Sequence, residues 1–158
     1  MTVSAYQAAV AILSRRDYAE QELRSKLIGK GYSIAEVNGA IAQCLSYGYL
    51  NDDRYARLVL QNSLHKGWGP LRIQQHLRQK GISDSQLHIL LMETHIDWFE
   101  HAVEVAERKF GSKIKLPKDR LLQQKEKARR YRFLQYRGFS GDQIHYALEQ
   151  LLRHTKAA

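Results

Sequence analysis

A single cysteine, Cys44, in 158 residues excludes an intramolecular disulfide framework and a cysteine-based structural zinc site. No apolar run approaches the roughly 20 residues that a membrane-spanning helix requires. The chain opens Met1-Thr2-Val3-Ser4 with no cation ahead of the apolar stretch 5–13, and Arg15 and Arg16 come after it. That is the wrong order for a secretory or twin-arginine signal. Threonine occurs three times, and no segment sustains strand-type alternation, so a sheet-based fold is not expected. Proline occurs twice, and Pro70 and Pro117 both stand where a helix would begin. Catalytic signatures are missing as well: there is no P-loop, no HExxH, no GxSxG and no convincing carboxylate pair. The seven histidines are scattered; His88 and His95 share a helix face, but no third ligand accompanies them. Cys44, beside Ile41 and Leu45, reads as a buried, inert thiol. The expectation is a soluble, cytoplasmic, monomeric protein with no enzyme activity, no cofactor and no metal.

What is abundant is positive charge. The chain carries 25 Lys+Arg against 16 Asp+Glu, a net charge of +9. Twelve cations fall at positions 108, 109, 113, 115, 118, 120, 125, 127, 129, 130, 132 and 137, with only Asp119 and Glu126 among them. That window holds +10, so the other 128 residues sum to −1. Such a block draws nucleic acid or an acidic protein surface, and equally serves as a solvated, solubilising helix.

A repeat is written in the glycines. Leu27-Ile-Gly-Lys-Gly-Tyr-Ser33, Leu77-Arg-Gln-Lys-Gly-Ile-Ser83 and Leu134-Gln-Tyr-Arg-Gly-Phe-Ser140 share one pattern, spaced 50 and 57 residues apart. Gly31, Gly81 and Gly138 suit the left-handed position that ends a helix, and Lys30, Lys80 and Arg137 complement the helix dipole. Ser33, Ser83 and Ser140 then cap the next helix, with Glu36, Gln86 and Gln143 completing capping boxes. Six and ten residues after each Gly stand Val37, Leu87 and Ile144, then Ile41, Leu91 and Leu148, as apolar faces. Helices are predicted over 5–16, 18–30, 34–47, 52–65, 70–80, 84–95, 97–110, 118–137 and 141–154, with Asp17/Glu20 and Asn51/Asp52/Asp53 as starts. The predicted fold is all-α: about nine helices in three tandem three-helix repeats, 1–48, 49–96 and 97–158, forming an elongated curved array. Arg130 occupies the position held by Leu23 and Ile73, eight residues before Gly, so the third repeat is not expected to bury the same stripe.

Two segments draw functional interest. Lys66-Gly67-Trp68-Gly69-Pro70-Leu71-Arg72 presents a Trp between cations, either as a plug between helices or as an anchor for a partner or a base. On the long eighth helix, Lys125, Arg129 and Arg132 fall on one side and Arg130 and Arg137 on another, and Lys127 belongs to the same basic segment.

Leu50-Asn51-Asp52-Asp53-Arg54-Tyr55-Ala56, the segment from Lys66 to Ile73, and Gln79-Lys80-Gly81-Ile82 together resemble the central signature of the RecX recombination regulators. Arg15-Arg16-Asp17-Tyr18-Ala19-Glu20-Gln21-Glu22-Leu23 and Arg132-Phe133-Leu134-Gln135-Tyr136-Arg137-Gly138-Phe139 resemble that family's first and last repeat motifs. The resemblance runs from about Tyr6 to Leu152; Tyr136 departs from it, standing where the family commonly has a basic residue. It implies a non-enzymatic regulator in recombination, DNA repair and the SOS response. Such a protein binds RecA filaments on single-stranded DNA and inhibits filament growth, ATP hydrolysis and strand exchange, with weak direct DNA binding possible in addition. Candidate contacts are Lys66, Trp68, Arg72, Lys80, Lys125, Lys127, Arg129, Arg130, Arg132 and Arg137. The alternative from the residues alone is a helix-turn-helix-like nucleic-acid-binding protein or transcription regulator, although no single helix concentrates base-reading side chains.

Overall fold

The structure, a computed structural model, describes residues 3–112 and 116–157, with backbone alone over 154–157. Lys113 and Lys115 of the basic window, and the side chain of His154, lie outside the described residues. Among the described residues there are nine helices and no strand: α1 Ala5–Leu13, α2 Glu20–Gly29, α3 Ile34–Ser46, α4 Asp52–His65, α5 Pro70–Gln79, α6 Asp84–Thr94, α7 Trp98–Phe110, α8 Arg120–Arg137 and α9 Gly141–Ala157. No described helix is long and apolar enough to cross a membrane.

The three predicted junctions form alike. Gly31, Gly81 and Gly138 have φ of 98°, 92° and 100°. The following residue returns its N–H to the helix: Tyr32 to the Leu27 carbonyl (3.4 Å), Ile82 to Leu77 (3.0 Å) and Phe139 to Leu134 (3.2 Å). With the glycine N–H bonded three residues back, this is the Schellman arrangement, which satisfies carbonyls a helix end would otherwise leave bare. All three capping boxes are present, Ser33 with Glu36, Ser83 with Gln86 and Ser140 with Gln143.

Three local expectations are corrected. Asp17 does not cap α2: the N-cap is Ala19, and the Glu20 N–H donates instead to Asp52 Oδ1 at 2.8 Å, while Asp17 pairs with Arg54. The row six residues after each glycine, Val37, Leu87 and Ile144, is buried as expected, but the second buried row falls at nine residues and not at ten. Ala40, Leu90 and Ala147 are buried, whereas Leu91 and Leu148 are only half-buried. Most instructive, Arg130 is buried on α8 at the repeat position of Leu23 and Ile73, at 5% exposure. The third repeat therefore does bury its stripe, because Glu126 one turn earlier supplies the counter-charge that permits it.

The chain divides into two compact units, Met1–Gln61 with His76–Glu93, and Asn62–Gln75 with Thr94–Ala158. In the first, α1 packs on α3, and Ala9, Leu23, Leu27, Val37, Ile41 and Cys44 form the core. Burial there pushes the Cys44 thiol pKa up, the inert state expected of it. In the second, α7 packs against α9. Ala102, Ala106 and Ala147 keep that contact thin, and Leu134, Phe139, Ile144 and Leu151 fill it.

Candidate functional site

The second unit builds its most distinctive surface where two chain segments meet end to end. Helix α4 stops at Gly67 (φ 80°), and the Trp68 N–H returns to the Ser63 carbonyl at 3.0 Å. Gly69 then opens α5 without any side chain able to cap it, and Pro70 occupies the first turn, where no N–H is needed. The missing cap comes from the end of α8. Gly69 N–H donates to the Arg137 carbonyl at 2.6 Å, and Leu71 N–H to the Gly138 carbonyl at 2.9 Å. The carbonyl end of one helix dipole thus meets the N–H end of another.

Both glycines are required by this approach. A Cβ on Gly69 would lie 2.5 Å from the Gly138 carbonyl carbon and oxygen, and a Cβ on Gly138 would lie 2.6 Å from the Arg72 nitrogen. The arrangement is reinforced by Arg137 Nη1, which donates to the Lys66 carbonyl, and by His101 Nε2, which lies 3.0 Å from the Trp68 carbonyl. A carbonyl only accepts, so that histidine nitrogen carries the proton. Burial lowers the His101 pKa from its ordinary value and keeps the ring neutral.

Above this junction stands a ladder of cations and rings. The Arg72 guanidinium lies 4.1 Å from the Trp68 ring centre and 5.0 Å from that of Tyr136, and Lys66 Nζ lies 5.4 Å from Trp68. Trp68 is half-buried. Its backbone is held in the junction, and its ring faces the Arg72 and Lys66 cations.

The structure sorts the ten sequence candidates. Nine belong to the second unit; Lys80 belongs to the first and is paired with Glu22 at 2.9 Å. Arg129 and Arg130 both bind Glu126, at 2.7 and 3.0 Å. The Arg129 hydrogen bond first, and Arg130 after it, hold the Glu126 carboxyl down at about 2. Among the described residues, Lys66, Arg72, Lys125, Lys127, Arg132 and Arg137 have no carboxylate partner. Sequence reasoning missed the Gly69–Gly138 contact and the exposed ring of Tyr136, which it treated only as a departure from a pattern. No group of three or more metal-ligating side chains occurs among the described residues.

These features define a class: an all-α tandem-repeat protein built from three-helix segments, with a carboxylate-poor cationic surface in its second compact unit. Family models described as the first, second and third three-helix domains of RecX match residues 5–44, 51–87 and 96–148. The chain belongs to the RecX family. It is 46% identical to "Regulatory protein RecX" of Vibrio campbellii over 148 residues, 93% of this chain and 91% of that protein. Against the protein of the same name from Halorhodospira halophila it is 35% identical over 140 residues, 89% of this chain and 83% of the relative. The crystal structure of RecX from Lactobacillus salivarius superposes with a TM-score of 0.74, covering 98% of this chain and 96% of that one; at 24% identity this likeness speaks for the fold.

Proposed function

We propose that this protein is a regulator of the RecA recombinase: it binds RecA filaments on single-stranded DNA and restrains their growth, ATP hydrolysis and strand exchange. The observation that carries this reading is the set of cations without carboxylate partners, Lys66, Arg72, Lys125, Lys127, Arg132 and Arg137, gathered in one compact unit. A polyanion neutralises such a set, and attraction at a distance speeds the encounter. Family membership and the relatives' shared name, "Regulatory protein RecX", supply the direction. A helix-turn-helix regulator would need a helix presenting base-reading side chains, whereas α8 commits Arg129 and Arg130 to Glu126.

The test runs bare oligo(dT) and recombinase-coated oligo(dT) in parallel, with the recombinase's DNA-dependent ATP hydrolysis followed as the chain is added. Tighter binding to the coated DNA and falling hydrolysis are expected. Equal or tighter binding to bare DNA, with hydrolysis unchanged, would sink the proposal.

A further inference from the structure

We infer that the groove between the start of α5 and the α8–α9 turn is a stacking site for an unpaired base of single-stranded nucleic acid, with Tyr136 as its platform. This deepens the proposed filament regulation, on which its biological setting rests, but the geometry is its own. The groove, about 520 Å³, is lined by Leu71, Arg72, Gln75, Gln135, Tyr136 and Ser140 among others. Tyr136 is 75% exposed, more than any other large apolar side chain described. At that exposure the ring adds little to the core.

Each neighbour of that ring suits a nucleotide. Arg72 is held between Trp68 and Tyr136, so its guanidinium is already ordered and has no carboxylate to give up. Gln75 and Gln135 are exposed side-chain amides, each offering both a donor and an acceptor to a base edge. Lys66, Arg132 and Arg137 supply positive charge from the same two segments. No carboxylate occurs from Arg54 to Ser83 or from Lys127 to Gly141, so nothing along either segment repels a phosphate. Exposed aromatic rings flanked by cations are how proteins hold single strands without reading sequence. An acidic peptide would answer the cations but offers no planar group for Tyr136. A duplex keeps its bases stacked and presents none. The unpaired base is the occupant that uses every component.

The experiment measures fluorescence anisotropy of labelled oligo(dT) and of a matched duplex across a salt series. Tyr136→Ala is expected to weaken oligo(dT) binding about tenfold, the value of one stacked base, while duplex binding and the salt slope stay as in the wild type. Tyr136→Trp is expected to retain oligo(dT) binding, with the added indole emission quenched by the oligonucleotide. Because the ring is mostly in solvent, both variants should melt with the wild type. Four results overturn the inference: no measurable oligo(dT) binding by the wild type; Tyr136→Ala binding oligo(dT) unchanged; equal weakening on oligo(dT) and duplex; or weakening confined to recombinase-coated DNA, which marks a protein contact. The two readings fail separately. Unchanged ATP hydrolysis beside a Tyr136-dependent oligo(dT) affinity refutes filament regulation alone, and inhibition with a Tyr136-independent affinity refutes stacking alone.

Discussion

Alanine placed at Gly138 and at Gly31 meets the same backbone demand in two different surroundings. Both glycines end a helix at φ near +100°, and a Cβ at Gly31 has nothing within 4 Å. Gly31→Ala therefore costs only the left-handed backbone, about 1 to 2 kcal/mol. At Gly138 the added Cβ stands 2.6 Å from the Arg72 nitrogen, against ordinary contact at 3.4 Å or more. The Arg72 Cβ is nearer still, so the segments must part by at least roughly 0.8 Å to restore normal contact. That separation takes the Leu71–Gly138 hydrogen bond beyond its 2.9 Å length and stretches the 2.6 Å Gly69–Arg137 bond, each worth about 1 kcal/mol. With the backbone term added, Gly138→Ala should cost roughly 3 to 4 kcal/mol. Gly69→Ala, which has no left-handed backbone to strain, should cost roughly 2 to 3 kcal/mol through the same separation. Urea unfolding at constant m-value gives all three, followed by tryptophan emission for the second unit, which holds Trp68 and Trp98, and by far-ultraviolet circular dichroism for Gly31→Ala in the first. If Gly138→Ala and Gly31→Ala are equally stable, or Gly69→Ala is neutral, the end-to-end contact of α5 and α8 is wrong.

Glu126→Gln should destabilise by about 2 kcal/mol, because it strands the buried Arg130; the full 3 to 5 kcal/mol of a buried pair is not reached, since a quarter of the Glu126 side chain (24%) is exposed. The carboxyl's pKa is drawn below its ordinary 4.5 to about 2, so the stabilisation holds above about pH 4.5 and is lost as pH falls towards 2. Acid titration of wild type and variant should therefore converge at low pH, and curves that stay parallel would refute the pairing. Replacing Lys125, Lys127 and Arg132 together by Gln should flatten the log–log salt dependence of single-strand binding by about 0.7 for each phosphate no longer neutralised. Arg129→Gln, which removes a cation already bound by Glu126, should change that slope by less than half the per-residue effect of the triple variant. Equal per-residue effects would mean that the pairing does not matter for binding.

Much of the fold was legible because its rules are local. A glycine, the cation before it and the serine two residues after it act within one helix turn, so the three junctions could be read from spacing. The longer-range features obey no such rule. Glu20 is capped by Asp52, 32 residues away, and nothing near Glu20 announces it. The buried state of Arg130 depends on Glu126 and on the approach of Phe110, whose ring centre lies 5.6 Å from the guanidinium. An apolar pattern alone marks that arginine as an interruption. Gly69 was visible only as part of a motif, because its partner Gly138 lies on the far side of α6 and α7 in sequence.

The cation count of a segment is a poor guide to the field it presents, and α8 shows why. Between Lys125 and Arg137 it carries six cations and one carboxylate. Glu126 neutralises Arg129 and lets Arg130 turn inward, so two of the six contribute to structure more than to the surface. The remaining four, Lys125, Lys127, Arg132 and Arg137, fall short of what the sequence suggested. The shortfall is met from another part of the chain. The glycine-to-glycine contact brings the segment that carries Lys66 and Arg72 against the end of α8, adding two cations that also lack carboxylate partners. It also sets Arg72 beside the Tyr136 ring, which neither segment could arrange alone. Charge and stacking surface are therefore coupled through one backbone contact. A substitution that opens Gly69 from Gly138 should weaken single-strand binding even though it removes no cation and no ring.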